Sequence, residues 1–126
     1  MNQQTILVVD DESPILSVVS LKLRNAGFRV LTASDGQEAL DIALRERPDL
    51  LITDYQMPLL SGLELCQKIR QANASIPAIL LTARTHNLKP ANTANCGILR
   101  TVSKPFSPRQ LLATVQEVLR DTAAAA

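Results

Sequence analysis

Residues 6–12, ILVVDDE, join a run of four aliphatic side chains to three acidic ones. The aliphatic run is too short for a helix that buries one face, and it shows no alternation with polar residues. Such a run is typical of a strand that is covered on both faces, as in a parallel sheet. We therefore predict a buried first strand whose carboxyl end carries Asp10 and Asp11.

The rest of the chain alternates short apolar runs with longer segments of helical periodicity. Further strands are predicted at residues 28–32, 50–53, 79–81 and 98–102, the first of them a more polar edge strand. Helix starts are predicted where a capping residue or a first-turn proline precedes a periodic segment, at Ser13-Pro14, Asp35, Ser61 with Glu64, and Ser107-Pro108. This alternation predicts an α/β fold, a doubly wound five-stranded parallel sheet with helices on both faces.

Length and composition indicate the number of domains and exclude some classes of function. The 126 residues fit one domain, which we place at residues 1–121, followed by an Ala-rich tail or linker start at residues 122–126. A net charge of +1 and only 2% aromatic residues argue against direct binding to nucleic acid or to a membrane surface. Two cysteines without CxxC spacing, and no leader or membrane-spanning segment, favour a cytoplasmic protein.

Polar side chains follow the predicted strands at their carboxyl ends. Asp10 and Asp11 follow strand one, Asp54 follows strand three, Thr82 follows strand four and Lys104 follows strand five. Taken singly, the Asp10-Asp11 pair, Thr82 and Lys104 are better explained by an ordinary turn, a loop cap or a solvated charge, and only for Asp54 are the two explanations even. Together they place three carboxylates, a hydroxyl and an ammonium on the edge where open α/β sheets bind ligands. Crowded carboxylates favour a bound cation such as Mg²⁺, and a carboxylate beside Mg²⁺ and lysine can attack phosphorus.

These motifs, in this order, resemble those of response regulator receiver (CheY-like) domains of bacterial two-component signalling over nearly the whole chain. They are VVDDE at residues 8–12, DYQMP at 54–58 with Gly62, Thr82-Ala83, and KPF at 104–106. The resemblance implies the flavodoxin-like strand order 2-1-3-4-5. It also implies a phosphorylation-dependent switch rather than an enzyme. Such a switch catalyses only its own phosphorylation and dephosphorylation.

The resemblance also implies roles for the acidic residues. Asp54 would accept a phosphoryl group from a sensor histidine kinase or a histidine phosphotransfer protein. Asp11, Asp54 and the backbone carbonyl of Gln56 would ligate Mg²⁺, with Asp10 acting largely through water. The output partner or domain is not identified by these motifs.

Three further positions complete the implied site. Lys104 would pair with the phosphoryl oxygens, Thr82 would hydrogen-bond one of them, and Ala83 is assigned to the binding site beside Thr82. The Lys104–Pro105 peptide bond is expected to be cis, as the resemblance implies.

Two features depart from the family pattern. Thr101 stands where the family usually carries an aromatic residue on strand five. Residues 84–96, RTHNLKPANTANC, contain Pro90 and three asparagines, with Leu88 as the one large aliphatic side chain. Because proline and asparagine disfavour helix interiors, we expect any helix there to be short, broken at Pro90 or largely irregular.

Other interpretations stay open. A receiver-like domain that acts constitutively through protein contacts is favoured by Thr101 and Pro90 but disfavoured by the acidic cluster. A phosphatase with an aspartyl-phosphate intermediate would need a second aspartate two residues beyond the nucleophile, where this chain has Gln56. Leu59 and Leu60 form an apolar pair that we expect to fold under against helix three rather than to be exposed to a partner.

Overall fold

The computed structural model describes residues 3–57, 59–72, 74–83 and 97–125, with the backbone alone described at 123–125. Within these ranges the strands are β1 (Thr5–Val9), β2 (Arg29–Ala33), β3 (Leu50–Asp54), β4 (Ala78–Thr82) and β5 (Ile98–Ser103). The helices are α1 (Ser13–Asn25), α2 (Gly36–Glu46), α3 (Gly62–Gln71) and α4 (Pro108–Ala125). The strands form one parallel sheet in the order β2-β1-β3-β4-β5. The predicted fold and strand order are confirmed.

The sheet is buried between two layers of helices. Every residue of β1, β3 and β4 is buried, as their continuous apolar runs predict, whereas edge strand β2 has exposed positions. Leu7 and Val9 face a cluster that includes α2 and α3, while Ile6 and Val8 face a cluster that includes α1 and α4. Alternate residues of one strand therefore serve two cores, and each fully buried aliphatic side chain contributes about 1.5–3 kcal/mol of transfer free energy.

The predicted caps of α2 and α3 are confirmed. Asp35 Oδ1 accepts a hydrogen bond from the Glu38 amide at 2.8 Å. Ser61 Oγ accepts from the Glu64 amide at 3.2 Å, while Glu64 Oε1 accepts from the Ser61 amide at 3.0 Å. This reciprocal pair satisfies amides that would otherwise have no partner at the start of α3, which fixes where that helix begins after the loop.

The prediction that Ser13 caps α1 is wrong. Ser13 is already the first helical residue, and the cap is Glu12, which makes no side-chain capping hydrogen bond. The Glu12 carbonyl accepts from the Ile15 and Leu16 amides at 3.1 and 3.2 Å. Pro14 remains compatible with this start. Amides in the first turn have no intrahelical partner, so the amide hydrogen that proline lacks is not missed there. At α4, Ser107 Oγ does accept from the Gln110 amide, at 3.4 Å.

The apolar pair after β3 behaves as two separate residues. Leu60 is buried, as expected, in the cluster formed with α2 and α3, but Leu59 is 82% exposed. The expectation that both fold under is therefore right for one residue and wrong for the other.

Three further predictions concern the segment around Pro90, the C-terminal residues and membrane-spanning segments. The predicted irregular segment around Pro90 covers residues 84–96, which lie outside the described residues. Residues 122–125, predicted as tail, continue α4. None of the helices in the described ranges is long and apolar enough to cross a membrane.

Candidate functional site

The sheet register brings the predicted polar residues to one edge. Val9 pairs with Thr53, so Asp10 and Asp54 follow on adjacent strands. Thr82 pairs with Ser103, so Lys104 comes next on β5. Because parallel strands end on the same side, residues far apart in the chain meet beyond their carboxyl ends.

Lys104 joins two buried aspartates at this edge. Its Nζ lies 3.2 Å from Asp10 Oδ2 and 3.2 Å from Asp54 Oδ1. The side chains of Lys104, Asp10 and Asp54 are 17%, 0% and 9% exposed. A third carboxylate, Glu12 Oε1, lies 3.8 Å from the same nitrogen. The ammonium therefore connects the ends of β1, β3 and β5 in a site that is largely withdrawn from water.

Burial shapes the protonation of this site. It raises the pKa of Asp10, against the hydrogen bond from the Glu12 amide and the charge of Lys104. Burial also raises the pKa of Asp54, and the neighbouring Asp10 charge adds to the rise while Lys104 opposes it. For Lys104, burial lowers the pKa, but Asp54 and Asp10 outweigh burial and leave it raised. One ammonium thus incompletely compensates two carboxyl groups held close together.

The loop after β1 supplies an acidic cluster that suits a hard cation. Carboxylate oxygens of Asp10, Asp11 and Glu12 lie within 4.8 Å of one another. Asp10 Oδ1 accepts from the Glu12 amide at 2.9 Å, and Asp10 Oδ2 contacts Lys104, whereas Asp11 is exposed. An all-oxygen donor set with excess negative charge fits Mg²⁺. Glu12 was not predicted as a site residue, although it is the third acid of the same run.

The start of α3 is packed directly against the end of β3. A Cβ on Gly62 would collide with the Asp54 carbonyl oxygen and would lie 2.9 Å from Leu80 Cδ1. The Gly62 amide donates to the Tyr55 carbonyl at 2.8 Å, and the Tyr55 amide donates to the Leu81 carbonyl at 2.8 Å. Gly62 therefore permits the close approach that holds Asp54 in place.

The other predicted site residues lie at the same edge but differ in burial. Thr82 is buried at the end of β4, and its carbonyl accepts from the Lys104 amide at 2.9 Å. Ala83 and Gln56 are exposed. The Lys104–Pro105 peptide bond is cis, as expected.

A doubly wound parallel sheet with a lysine held between two buried aspartates at its carboxyl edge defines a class of signalling domain. The model of the response regulator receiver domain family matches residues 6–116. The chain belongs to this family, the one that its motifs resemble.

Relatives in both sequence and structure agree with that assignment. The chain is 40% identical over 126 residues to the alkaline phosphatase synthesis transcriptional regulatory protein PhoP of Bacillus subtilis, covering 100% of this chain and 52% of that protein. It is 36% identical over 121 residues to the phosphate regulon transcriptional regulatory protein PhoB of Pseudomonas aeruginosa, covering 94% and 53%. The chain thus spans about half the length of these curated relatives. The structure of the chemotaxis response regulator CheY4 of Vibrio cholerae superposes with a TM-score of 0.86 at 36% identity, covering 93% of this chain and 99% of that one.

Proposed function

We propose that this chain is a phosphorylation-dependent signalling switch in which the Asp54 carboxylate accepts the phosphoryl group. The observation that carries the proposal is the contact of Lys104 Nζ with Asp54 Oδ1 and Asp10 Oδ2, both at 3.2 Å, inside a largely buried site. Membership of the receiver family supports it. So does the placement of Thr82 at the same edge, next to the strand that carries Lys104.

The chemistry follows from these groups. An oxygen of Asp54 attacks the phosphorus of a phosphohistidine, and a C–O–P bond forms as the P–N bond breaks. The imidazole nitrogen keeps the electron pair of that bond, and the ring leaves as neutral imidazole because its other nitrogen already carries a proton. Lys104 offsets the negative charge of the phosphoryl oxygens, and the Thr82 hydroxyl hydrogen-bonds one of them. Water later hydrolyses the acyl phosphate to the Asp54 carboxylate and inorganic phosphate, which returns the switch to its unphosphorylated state.

The proposed cofactor is Mg²⁺, held by Asp11, Asp54 and the Gln56 carbonyl, with Asp10 acting largely through water. This division is supported by the contacts that already engage both Asp10 oxygens, while Asp11 is exposed. When bound, Mg²⁺ offsets negative charge on the transferring phosphoryl group.

The proposed partner is a sensor histidine kinase or a histidine phosphotransfer protein, acting on a receiver unit at residues 1–121 in the cytoplasm. A groove of about 530 Å³ between α1 and the start of α4 supports a protein donor. The residues that line it include Ile15, Val18 and Phe106, and Lys104 is also among them. On the outer face of α1, Val18 and Leu21 are 51% and 61% exposed. Apolar surface beside the phosphoacceptor gives a protein donor a place to bind.

Intact-mass measurement after incubation with acetyl phosphate and Mg²⁺ tests the proposed function. We expect wild type to gain one phosphoryl group and Asp54→Asn to gain none, because an amide is not a competent nucleophile here. Asp41→Asn, an exposed aspartate on α2, is the matched control and should label like wild type. Equal labelling of Asp54→Asn and wild type would contradict the assignment.

A titration with Mg²⁺ alone tests the proposed ligand set. Asp11→Asn should weaken Mg²⁺ binding more than Asp10→Asn, because it removes a direct charged ligand. Isothermal calorimetry on both variants and wild type measures this. If Asp10→Asn binds more weakly than Asp11→Asn, the two roles are reversed.

A further inference from the structure

The end of the sheet opposite the phosphoacceptor is strongly basic. Because each helix runs back between parallel strands, the helix C-termini and the strand N-termini lie together at the end away from Asp54. Eight basic residues lie there with three acidic ones, Glu46, Asp49 and Asp121, which leaves a charge of +5 although the whole chain carries +1. We call this surface the basic end. Five of its basic residues occupy last helical turns: Lys22 and Arg24 in α1, Arg45 in α2, and Lys68 and Arg70 in α3.

The other end of the sheet carries the opposite charge. Besides the four acids of the candidate functional site, it holds Asp35, Glu38 and Glu64 at the starts of α2 and α3. Lys104 and Arg109 are the basic residues of the described ranges at that end, so its seven acids leave a charge of −5. A polyanion is therefore attracted to the basic end and repelled from the phosphoacceptor.

Helix stabilisation explains only part of the basic end. Basic residues in a last turn offset the partial negative charge of a helix C-terminus. The remaining three, Arg29, Arg47 and Arg120, lie outside the last helical turns. Arg47 ends α2 with φ 49°, in the left-handed region where glycine is the favoured residue. An exposed arginine there adds charge at a position where the local backbone favours a residue without a side chain.

The acidic residues of the basic end neutralise few of its cations. One carboxylate, Glu46, pairs with both Arg29 and Arg45, each at 3.3 Å. Asp49 Oδ2 accepts instead from the Thr5 amide at 2.8 Å. All 12 Asp and Glu residues fall within the described ranges. Four basic side chains nevertheless have none of these carboxylates within ion-pair distance: Lys22, Arg47, Lys68 and Arg70.

Two adjoining open cavities lie among these helix ends. One of about 450 Å³ is lined by Arg47, and one of about 320 Å³ is lined by Arg120. Both are also lined by Gln4 and Leu119, so they form a continuous depression across the N-terminal ends of the strands. Guanidinium groups beside such a depression can approach phosphate oxygens with two parallel hydrogen bonds.

We propose that the basic end binds the phosphate backbone of duplex DNA, without reading base sequence. Six of its eight basic residues are arginines, the side chain that matches phosphate geometry, and duplex DNA presents one charge per about 1.7 Å. The three aromatic residues of the chain, Phe28, Tyr55 and Phe106, are all partly buried. An exposed aromatic platform for single-stranded bases or an aromatic anchor for a membrane surface is therefore lacking. The acidic end then faces away from the DNA and leaves Asp54 open to its phosphodonor.

Fluorescence anisotropy with a labelled duplex of about 20 base pairs tests the proposal on the unphosphorylated 126-residue chain. Binding is measured from about 50 to 200 mM NaCl, with a single strand of the same length for comparison. Arg47→Gln removes the charge, Arg47→Lys retains it, and Arg47→Gly removes it while suiting the left-handed backbone. Arg109→Gln is the matched control, because Arg109 is an exposed arginine at the acidic end.

We expect wild type to bind the duplex more tightly than the single strand. Contacts to about four phosphates would give a slope of log K against log salt near −3.6, so binding should weaken by about a hundredfold across this range. Arg47→Gln and Arg47→Gly should each reduce that slope by about 1, whereas Arg47→Lys and Arg109→Gln should keep it. The melting temperature of Arg47→Gly should not fall, which separates the lost charge from lost folding.

Five results would overturn the proposal. The first is an absence of duplex binding at about 50 mM NaCl. Binding that salt does not weaken, or that Arg109→Gln weakens as much as Arg47→Gln does, would exclude the basic end as the DNA contact. Tighter binding to the single strand would indicate base stacking instead. Binding to phosphatidylserine vesicles without duplex binding would assign the basic end to a membrane. Salt-sensitive self-association without duplex binding would assign it to the acidic end of a second copy.

Discussion

In two clusters of the described chain a cation from the β5 region lies within 3.4 Å of two carboxylates, and these close contacts differ little in geometry. Lys104 Nζ lies 3.2 Å from both Asp10 and Asp54. Arg100 Nη2 lies 2.9 Å from Glu117 and 3.4 Å from Asp121. Their exposures differ greatly: 17%, 0% and 9% for the Lys104 cluster against 40%, 48% and 55% for the Arg100 cluster.

The difference shows that burial, more than distance, determines what an ion pair does. Water screens the exposed Arg100 cluster, so it ties β5 to α4 only weakly. In the Lys104 cluster the carboxylates have lost hydration, and burial raises the pKa of both Asp10 and Asp54. Such a cluster is costly to leave uncompensated and is therefore sensitive to an added cation or phosphoryl group. The predictions below test this contrast.

Lys104→Ala should produce the largest effect. It leaves Asp10 and Asp54 without their ammonium, so without divalent cations at neutral pH the free energy of unfolding should fall by about 3 kcal/mol. Mg²⁺ should restore part of this loss. Urea denaturation measures both effects, and a loss below about 1 kcal/mol would place this cluster with exposed pairs.

The same variant tests the role of Lys104 after phosphoryl transfer. We expect labelling by acetyl phosphate to be reduced less than the phosphorylation-induced NMR shifts, because the cation that holds the phosphoryl oxygens is missing. Normal shifts in a labelled Lys104→Ala protein would contradict this expectation.

The pH dependence of stability should differ between wild type and Asp54→Asn. Because the folded state raises the pKa of Asp54 above 3.8, the folded protein binds this proton more tightly than the unfolded chain. Its contribution to stability therefore declines as the pH rises from about 3.8 through the raised pKa, and the penalty persists at higher pH.

Asp54→Asn removes that decline. Without metal, the free energy of unfolding of the variant should therefore rise relative to wild type as the pH increases from about 3.8 through the raised pKa of Asp54. Glu46 and Glu64 have lowered pKa values and act in the opposite direction, but they contribute equally to both proteins. Urea unfolding at several pH values gives the difference curve. A difference that does not change with pH would show that Asp54 is not perturbed by folding.

Arg100→Ala should produce the smallest effect. The exposed pairs with Glu117 and Asp121 contribute about 0–1 kcal/mol, and added salt should reduce that contribution further. A double-mutant cycle with Glu117→Gln isolates the main pair. A coupling energy above about 2 kcal/mol would mean that exposure does not separate the two clusters as proposed.

The amino-acid sequence by itself determined which segments form the strands and which polar residues follow them. Continuous aliphatic runs predicted the fully buried strands β1, β3 and β4 because their burial on both faces removes any alternation. The caps at Asp35 and Ser61 were also predictable, since the bonding partner lies three residues away in the same turn. Such features depend on neighbours along the chain.

The tertiary structure decided what depends on distant neighbours. Whether Glu12 or Ser13 caps α1 depends on how the chain leaves β1, and both types of residue can precede a helix. Leu60 rather than Leu59 is buried because Leu60 meets Gly36 of another helix. The contact of Lys104 with Asp10 spans 94 residues, so its length and burial follow from the sheet register. Local sequence specifies which residues reach the edge, whereas packing sets how far each is withdrawn from water, and burial raises the pKa of Asp10 and Asp54.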